Sequence, residues 1–545
     1  MIPALLFVVS FLVVGFGQPH ISSLLSLLAS SCGFALFWAA LFKIPGKKSR
    51  FIYSATWFFA VQLIQLSWLA SPTYQGSYIY FVYIGLSAWL GIQFGILPLF
   101  LPKKAPIPFL RILGIAALWT LVEWSRLRIL CGFAWNPIGL SMTGFPLGGQ
   151  LAAVVGVFGL SFFVMVVNLL GVNFFQTRRK KALAAYGGLL TFPYLFGAAH
   201  MGYHDRQQSS REPYHVALVQ TALLPDEKQL FSGKEERYIH PFIQWYQVLN
   251  YIKEHAFKDL DLIVLPEYAL PFSSHATVYP LNQIKEVLGD ELGDLDSLLN
   301  ERLAEKKGEE WFVSNAFLVQ ALANQYRAEV VIGLDGKEGK RNFNAAFHFI
   351  PKGKEILRYE KRILLPLAEY LPFTFLKPLV ARYGILDFFT HGKEAKITKG
   401  KHPMSLSVCY EECFPHIMRE GRQKGAQLFV NVTNDGWYPY SRLPEQHFIH
   451  GRVRAIENGV PLLRACNTGV TAGIDSLGRT IARFENSEGN FELEKGALYI
   501  PLNLYSFSTL YTFWGDVLIL ILSLGSLIFL KERKENSLDE KRSLT

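Results

Sequence analysis

The sequence predicts an α-helical membrane bundle of about eight transmembrane helices joined to a layered α/β domain. Half of the 545 residues are hydrophobic and only 18% are charged, and the mean hydropathy of +0.21 is too high for an ordinary soluble enzyme. Apolar segments of about 20 residues, the length that crosses a bilayer core, cluster at both ends of the chain. A middle segment of about 300 residues carries most of the Asp and Glu and alternates β-rich with helical runs.

The apolar segments predict seven transmembrane helices before the middle segment and one after it. They cover residues 2–17, 21–42, 51–70, 78–101, 107–123, 151–175, 182–199 and 510–530. The first segment is short enough to be the core of a signal peptide. However, no Lys or Arg precedes it, and ALLFVVSFLVVGFGQ has no convincing small-x-small cleavage site, so we interpret it as a helix.

Basic residues in the short loops predict the orientation of these helices. Lys or Arg follows every even-numbered segment, namely Lys43, Lys47, Lys48, Arg50, Lys103, Lys104, Arg178, Arg179, Lys180, Lys181, Lys531, Arg533 and Lys534. By the positive-inside rule, both termini are cytoplasmic and the middle segment lies on the outer side. Arg126 and Arg128, after the fifth segment, break this pattern, so their loop is a candidate for binding an anion or for dipping into the interface.

These observations divide the chain into four parts. Residues 1–203 hold helices 1 to 7, residues 204–507 form the extracytoplasmic α/β domain, residues 508–530 hold helix 8, and residues 531–545 form a cytoplasmic basic tail. The net charge of +10 is therefore mostly a signal of topology. Nucleic acid is not a predicted partner, because the α/β segment contains no basic patch with interleaved aromatic residues.

Cys409 ends the alternating apolar run SLSV and is followed at once by Tyr410, Glu411, Glu412 and Cys413. The five cysteines of the chain form no disulfide framework, but an outer compartment would permit a bond between Cys409 and Cys413. A zinc site would need further N or S ligands, and the sequence near this pair offers none. On its local sequence alone, Cys409 is a small buried hydrophobe, half of a disulfide or a nucleophile.

Two other strand ends supply the groups that a cysteine nucleophile needs. In LDLIVLPEYALP, Glu267 follows an apolar strand that Pro266 ends, and in EILRYEKRILLPLAEYLPF, Lys361 follows another strand with Glu369 eight residues further on. Side chains that leave adjacent strands at one edge of an α/β sheet converge in one crevice. A thiol attacks as the thiolate, so a base and a cation beside it would make it reactive.

Taken in chain order, the contexts of Glu267, Lys361 and Cys409 resemble the nitrilase, or carbon-nitrogen hydrolase, superfamily. With helices before and after this domain, nearly the whole chain is similar to the apolipoprotein N-acyltransferase family. The segments ALWTLVEWSRLRILCGFAWNPIGLS, TLYTFWGDVL and NVTNDGWYPYSRLPEQHFIHGRVRAIENGVPLLRACNTGVTAGIDSLG carry the resemblance beyond the three contexts. The chain departs from the family at Leu265, where Trp is usual, and at Ala368, where Gly is usual.

The resemblance implies a nitrilase-like αββα sandwich and an acyltransferase with a Glu-Lys-Cys triad. Glu267 would act as the general base and Cys409 as the nucleophile that carries the acyl chain as a thioester. Lys361 and the backbone N–H of Tyr410 would hold the oxyanion of the tetrahedral intermediate, where one such donor lowers the barrier by roughly 3 to 4 kcal/mol.

The resemblance also implies supporting residues. Glu369 matches the family's second carboxylate, and Glu411 matches a supporting residue in the CYE motif. Tyr410 is either a supporting residue or a packing aromatic. Trp437 and Tyr438, in NDGWYPY, are amphipathic aromatic residues suited to a substrate-facing or membrane-facing loop, although an ordinary aromatic turn explains them equally well.

The implied substrates are a phospholipid as acyl donor and the diacylglyceryl-cysteine amine of an apolipoprotein as acceptor, with no cofactor and no metal. The implied location is the bacterial inner membrane, as a multi-pass protein with its catalytic domain facing the periplasm and both termini cytoplasmic. Soluble nitrilases often form oligomers, whereas a collar of membrane helices favours a monomer here. The sequence does not determine the oligomeric state.

Two other functions stay open at this point. A membrane-tethered amidase of the same superfamily would share the triad and use water in place of the amine, but small soluble amides give no reason for helices on both sides of the domain. A transporter or lipoprotein-binding scaffold with an inactive nitrilase domain would not need Glu267, Lys361 and Cys409, and the chain keeps all three.

Overall fold

The computed structural model describes residues 2–208, 212–230, 233–254, 259–300, 302–373, 375, 378 and 388–531. Helices fill both ends of the chain, and the strands lie between them. The predicted basic tail at residues 531–545 lies outside the described residues, apart from Lys531.

A helix occupies each of the eight segments that the sequence predicts to span a membrane. The helices before the sheets are α1 Ile2–Gly15, α2 Ser23–Leu28, α3 Phe34–Leu41, α4 Lys47–Gln65, α5 Ile79–Gly95, α6 Phe109–Ser125, α7 Pro146–Gly149, α8 Ala152–Thr177 and α9 Lys180–Gln207. A π-helical turn, Ala29–Gly33, joins α2 to α3.

Within the described ranges, four helices are long and apolar enough to cross a membrane. They cover Ser23–Leu41, Ile79–Phe100, Ala152–Thr177 and Lys180–Gln207, with shorter apolar helices at Pro3–Gly15 and Val517–Leu530. Helix α6 has only 17 residues, and α4 carries charged residues in its first turn. The prediction of eight spans is therefore confirmed in part, for four helices.

The strands form three sheets. They are β1 Tyr214–Gln220, β2 Leu262–Leu265, β3 Tyr279–Pro280, β4 Ala304–Lys307, β5 Glu310–Val313, β6 Glu329–Glu338, β7 Arg341–Phe349, β8 Leu357–Glu360, β9 Met404–Val408, β10 Leu428–Thr433, β11 Leu462–Cys466, β12 Ala472–Ile474, β13 Thr480–Arg483 and β14 Gly496–Leu502. The first sheet has the order β14-β1-β2-β6-β7-β8, the second β13-β12-β11-β10-β9, and a small third sheet β3-β5-β4. Parallel pairing joins β1 to β2 and β2 to β6 in the first sheet, and β9 to β10 and β10 to β11 in the second.

Helices cover the outer faces of the two large sheets. Those on the first sheet are α11 Pro241–Glu254 and α13 Asn315–Tyr326, and those on the second are α14 Pro415–Gln423 and α15 Leu443–Asn458. The other helices are α10 Pro225–Lys228, α12 Leu281–Leu292 and, after the last strand, α16 Leu510–Trp514 and α17 Val517–Ser526. Strand β2 has apolar residues on both faces, as a strand covered on both sides requires. Leu262 and Val264 pack between the two sheets, whereas Ile263 and Leu265 pack under α11 and α13. The layers are therefore helix, sheet, sheet and helix.

Helix α15 connects the α/β domain to the helical part of the chain. Trp135 Nε1 donates to Gln446 Oε1 at 2.6 Å, and Gln446 Nε2 donates to the carbonyl oxygen of Gln65 at 2.8 Å. At the other end of α15, the carboxylate of Glu457 accepts the backbone N–H of Val157 at 2.8 Å. These buried polar contacts fix the edge of the sheets that holds the site against the helices.

Candidate active site

Three strands end at the site and deliver its three reacting groups. Glu267 lies two residues after β2, Lys361 directly after β8, and Cys409 directly after β9. Lys361 Nζ lies 3.3 Å from Glu267 Oε1, and the Glu411 carboxylate accepts the backbone N–H groups of Val408 and Arg362, the neighbours of Cys409 and Lys361. The structure therefore brings together the three residues that the sequence singles out, although their roles stay a prediction.

Lys361 lies between two carboxylates inside the protein. Its Nζ contacts Glu369 Oε1 at 2.8 Å as well as Glu267, and only 1% of the Lys361 side chain is exposed. A second oxygen of Glu369 accepts the backbone N–H of Leu365 at 2.8 Å. Because a buried ammonium is stable only when it is paired and hydrogen-bonded, the two carboxylates hold Lys361 in one position.

Asn344 holds the two carboxylates in place from the opposite side. Its Nδ2 donates to Glu267 Oε1 at 2.7 Å and to Glu369 Oε1 at 2.8 Å. The backbone carbonyl oxygen of Asn344 accepts the backbone N–H of Lys361 at 2.8 Å. Asn344 lies in β7, beside β8, so one residue of the sheet positions all three charged groups.

Burial and mutual charge decide where the protons lie. Burial, and then the charge of Glu267, raise the pKa of the Cys409 thiol well above its usual value, while Lys361 opposes this. Burial also raises the pKa of Glu267 against the opposing charge of Lys361. Burial lowers the pKa of Lys361, but Glu267 and Glu369 together outweigh burial and hold it well above its usual value. The Cys409 thiol therefore holds its proton more tightly than a free cysteine does, and the Glu267 carboxylate is a stronger base than a free glutamate.

Cys409 has an unusual backbone. Its φ of +52° lies in the left-handed region, which costs about 1 to 3 kcal/mol for a residue other than glycine. Asn431 Nδ2 donates to the carbonyl oxygen of Cys409 at 3.2 Å and to Ser407 Oγ at 3.0 Å, and so holds this turn in place. The turn sends the chain from β9 into a short 3-10 helix, Cys409–Cys413.

Glu411 ties the nucleophile strand to the lysine strand. Its carboxylate accepts the backbone N–H of Val408 at 2.8 Å and that of Arg362 at 2.6 Å. The hydroxyl of Tyr359 donates to the same carboxylate at 3.0 Å. Because these contacts fix the chain on either side of Cys409 and Lys361, Glu411 positions both residues without touching a reacting atom.

The three aromatic candidates pack against the helical part of the chain. Tyr410 is buried against Trp135, with ring centroids 6.0 Å apart. Tyr438 packs against Trp68 at 5.0 Å, and Trp437 lies 6.2 Å from Tyr74. Trp437 and Tyr438 are both half-buried.

All five cysteines lie within the described ranges and are free thiols, so no disulfide joins Cys409 to Cys413. Among the described residues, no group of three or more His, Cys, Asp and Glu side chains is arranged to hold a metal ion.

Sequence reasoning missed the groups that organise the site. Asn344, Tyr359 and Asn431 are buried residues of β7, β8 and β10, and each donates a hydrogen bond to a site residue. A polar side chain in an apolar strand run, such as Asn344 in NAAFHFI, is a usable signal, because its burial costs free energy unless a partner satisfies it. The signal says that a partner exists, but it cannot say which one.

Comparisons with known proteins identify the family of the chain. The family model of the carbon-nitrogen hydrolases matches residues 242–490, and that of the apolipoprotein N-acyltransferase N-terminal domain matches residues 6–170. The apolipoprotein N-acyltransferase of Chlamydia pneumoniae is 32% identical to this chain over 547 residues, which cover 96% of each protein. That of Chlamydia caviae is 31% identical over 541 residues, again 96% of each.

A solved structure of a mutant Nesterenkonia AN1 amidase from the nitrilase superfamily covers 62% of this chain and 98% of its own, with 17% identity and a TM-score of 0.34. The assignment to a family rests instead on the family models and the full-length relatives. They confirm the resemblance that the motifs predict. The chain belongs to the apolipoprotein N-acyltransferase family.

Proposed function

We propose that this protein transfers an acyl chain from a phospholipid to the N-terminal amine of the diacylglyceryl-cysteine of an apolipoprotein. Family membership supports the overall reaction. The observation that carries the mechanism is the buried ion group of Glu267, Lys361 and Glu369, in which the charges of Glu267 and Lys361 act on the pKa of the Cys409 thiol.

In the first half-reaction, Glu267 takes the proton of the Cys409 thiol, and Sγ attacks the ester carbonyl carbon of the phospholipid. Lys361 and the backbone N–H of Tyr410 stabilise the oxyanion. Tyr410 is the second residue of a short helix, and the first N–H groups of a helix have no partner inside it. The C–O bond then breaks, the leaving alkoxide takes the proton from Glu267, and lysophospholipid departs from the Cys409 thioester.

In the second half-reaction, the acceptor amine attacks the thioester carbon. The C–N bond forms, the C–S bond breaks and Sγ regains a proton, which leaves an amide on the lipoprotein. Glu267 serves as the base again, and Glu369 keeps Lys361 beside it through the 2.8 Å contact.

The membrane topology follows from the same proposal. All eight helical segments span the bacterial inner membrane, both termini are cytoplasmic, and residues 204–507 face the periplasm. The basic residues after each even-numbered segment support this orientation. Trp437 and Tyr438 are half-buried beside the helices, which suits a loop at the level of the lipid headgroups.

The test is an acyl-transfer assay with purified protein and a phospholipid that carries a labelled acyl chain. In the absence of acceptor, we expect one labelled thioester per protein, which hydroxylamine releases. Addition of a diacylglyceryl-cysteine peptide should move the label to the peptide as an amide. Cys409→Ala should abolish both products, and Cys466→Ala, which removes another buried free thiol, should abolish neither.

Two outcomes would contradict the proposal. Label that passes to water and not to the peptide would make the protein a hydrolase. A Cys409→Ser variant that still transfers the acyl chain at the full rate would remove the thiol from the mechanism, because an oxygen ester would then serve as well as the thioester.

A further inference from the structure

A cavity of about 280 Å³ lies close to the ion group, because the N–H of Phe389 in its wall donates to the backbone carbonyl oxygen of Glu369 at 2.8 Å. It is lined by Ser273, Asp335, Gly336, Lys337, Asn342, Phe388 and Phe389. Lys337 is exposed, so the cavity reaches the protein surface there. The volume has room for several water molecules, each of which occupies about 30 Å³ in the liquid.

Asp335 carries the acidic group of this cavity and lies on the face of β6 that meets Glu267. A Cβ added to Gly333, two residues earlier on the strand, would lie 2.5 Å from the Cα of Glu267. Side chains two residues apart on a strand share a face, so Asp335 lies on the Glu267 side. Asp335 also lies directly opposite Asn344 in the pairing of β6 with β7.

Asp335 and Asn344 each have a buried oxygen that lacks a donor. Asp335 Oδ1 and Asn344 Oδ1 find no hydrogen-bond partner among the described residues. Directly opposed strand residues have Cβ atoms about 4.5 to 5.5 Å apart. A proton on Asp335 would let its O–H donate to Asn344 Oδ1, and both unpaired oxygens would then be satisfied.

The proposed reaction needs a route for one proton. An α-amino group has a pKa of about 7.7 to 8.0, so at neutral pH the acceptor arrives mostly as an ammonium ion. Its nitrogen has three protons and keeps one in the amide. Sγ of Cys409 takes the second, and the third must leave the protein. The first half-reaction releases no net proton.

We propose that Asp335 accepts this third proton from Glu267 and passes it to water in the cavity, which makes the cavity the proton exit of the amine-transfer half-reaction. This inference rests on the proposed function. The transfer consumes no other reagent: the proton moves from Glu267 to the Asp335 carboxylate and from there to solvent.

The charged surroundings suit this role. Burial, and then the charges of Glu267 and Glu369, raise the pKa of Asp335 to about 7. Among the described residues, Lys337 also lines the wall of the cavity, and the Tyr268 hydroxyl interacts electrostatically with Asp335. A carboxyl that titrates near neutral pH both accepts a proton and releases it.

The experiment separates the two half-reactions in Asp335→Ala. The initial burst of lysophospholipid without acceptor should keep the wild-type rate, and transfer to the diacylglyceryl peptide should slow about 100-fold. Imidazole, a small base that fits the cavity, should restore transfer in proportion to the concentration of its neutral form. Glu338→Gln, which changes an exposed carboxylate of the same strand, should alter neither half-reaction.

Each result decides between the alternatives. If both half-reactions of Asp335→Ala slow equally and imidazole restores neither, Asp335 has only a structural role. If both keep the wild-type rate, the proton leaves by another route. If the wild-type protein itself forms no thioester, the proposed function fails, and this failure is visible before any variant is compared.

Discussion

At the scale of single residues, the site depends on one buried ammonium shared by two carboxylates. Lys361 has 1% of its side chain exposed, and Glu267 has 4%. Isolated charges at such positions cost several kcal/mol each, so the group is stable only as a paired and hydrogen-bonded unit. Because Asn344 donates to both carboxylates, the negative charge of Glu369 is held close to Glu267, and it helps to set the pKa of the base.

Glu369→Gln tests this electrical coupling. The charge of Glu369 raises the pKa of Glu267, so its removal should lower that pKa. The first half-reaction needs Glu267 without its proton. A lower pKa keeps the base active at lower pH, and the acid side of the pH profile should therefore move to lower pH. The rate of lysophospholipid release between pH 4 and 8 measures this shift.

The matched control is Glu360→Gln, which removes a carboxylate that is adjacent to Lys361 in sequence but pairs with Arg358 at 2.6 Å. Its acid limb should coincide with that of the wild type. An identical acid limb in all three proteins would mean either that the charge of Glu369 does not change the pKa of Glu267 or that Glu267 does not set the profile.

At the scale of elements, the strand ends create the site through close contact between β2 and β6. Gly333 in β6 allows this contact, because its backbone passes directly beside Glu267. The N–H of Gly333 donates to the carbonyl oxygen of Pro266 at 3.1 Å, and the N–H of Ala269 donates to that of Gly333 at 3.1 Å. These two hydrogen bonds hold the segment that contains Glu267 against β6.

Gly333→Ala should displace the base. The new Cβ would lie 2.5 Å from Glu267 Cα and 2.8 Å from the carbonyl oxygen of Pro266, and both are backbone atoms that cannot rotate away. A shift of about 1 Å at a reacting group costs roughly 100-fold in rate. We expect a loss of this order in thioester formation, measured by the labelled phospholipid assay.

Gly289→Ala is the control for this variant. Gly289 lies in α12, and an added Cβ would meet only Lys285 Cβ at 4.0 Å. Activity should stay at the wild-type level. If Gly333→Ala were equally active, the loop that carries Glu267 would be free to move, and the strand contact would not position the base.

The sequence predicts the strand ends that carry Glu267 and Cys409, because an apolar run comes directly before Pro266 and Glu267 and before Cys409. The partners that hold these groups have no such signature in the local sequence. Asn344 lies 77 residues from Glu267 in the chain, and its Nδ2 lies 2.7 Å from Glu267 Oε1. The pairing of the strands brings the two residues together. Strand order and register decide such contacts, and neither follows from composition or periodicity.

At the scale of the whole molecule, the helices and the α/β domain complete each other's hydrogen bonds. Helix α8 is interrupted at Gly156, whose φ of 66° and ψ of 178° are not helical. Next to this break, the backbone N–H of Val157 donates to the carboxylate of Glu457 in α15 at 2.8 Å. The guanidinium of Arg454 donates to the same carboxylate at 3.1 Å. Hydropathy predicts α8 as one apolar segment, but it cannot predict that a carboxylate from the α/β domain accepts a backbone N–H at the break in this helix.

Glu457→Ala should therefore destabilise the whole protein. It leaves the Val157 N–H and the buried Arg454 without their carboxylate, and breaking a buried pair of this kind costs about 3 to 5 kcal/mol. Thermal unfolding in detergent at pH 8, above the Glu457 pKa that burial raises to about 7, should show a clearly lower Tm. Glu457→Gln keeps a hydrogen-bond acceptor and should lose less stability than Glu457→Ala. Glu445→Ala removes a partly exposed ion pair on the same helix, and it should lower the free energy of unfolding by about 1 kcal/mol at most. Equal Tm values for Glu457→Ala and Glu445→Ala would show that the buried contacts of Glu457 stabilise the protein no more than a partly exposed ion pair does.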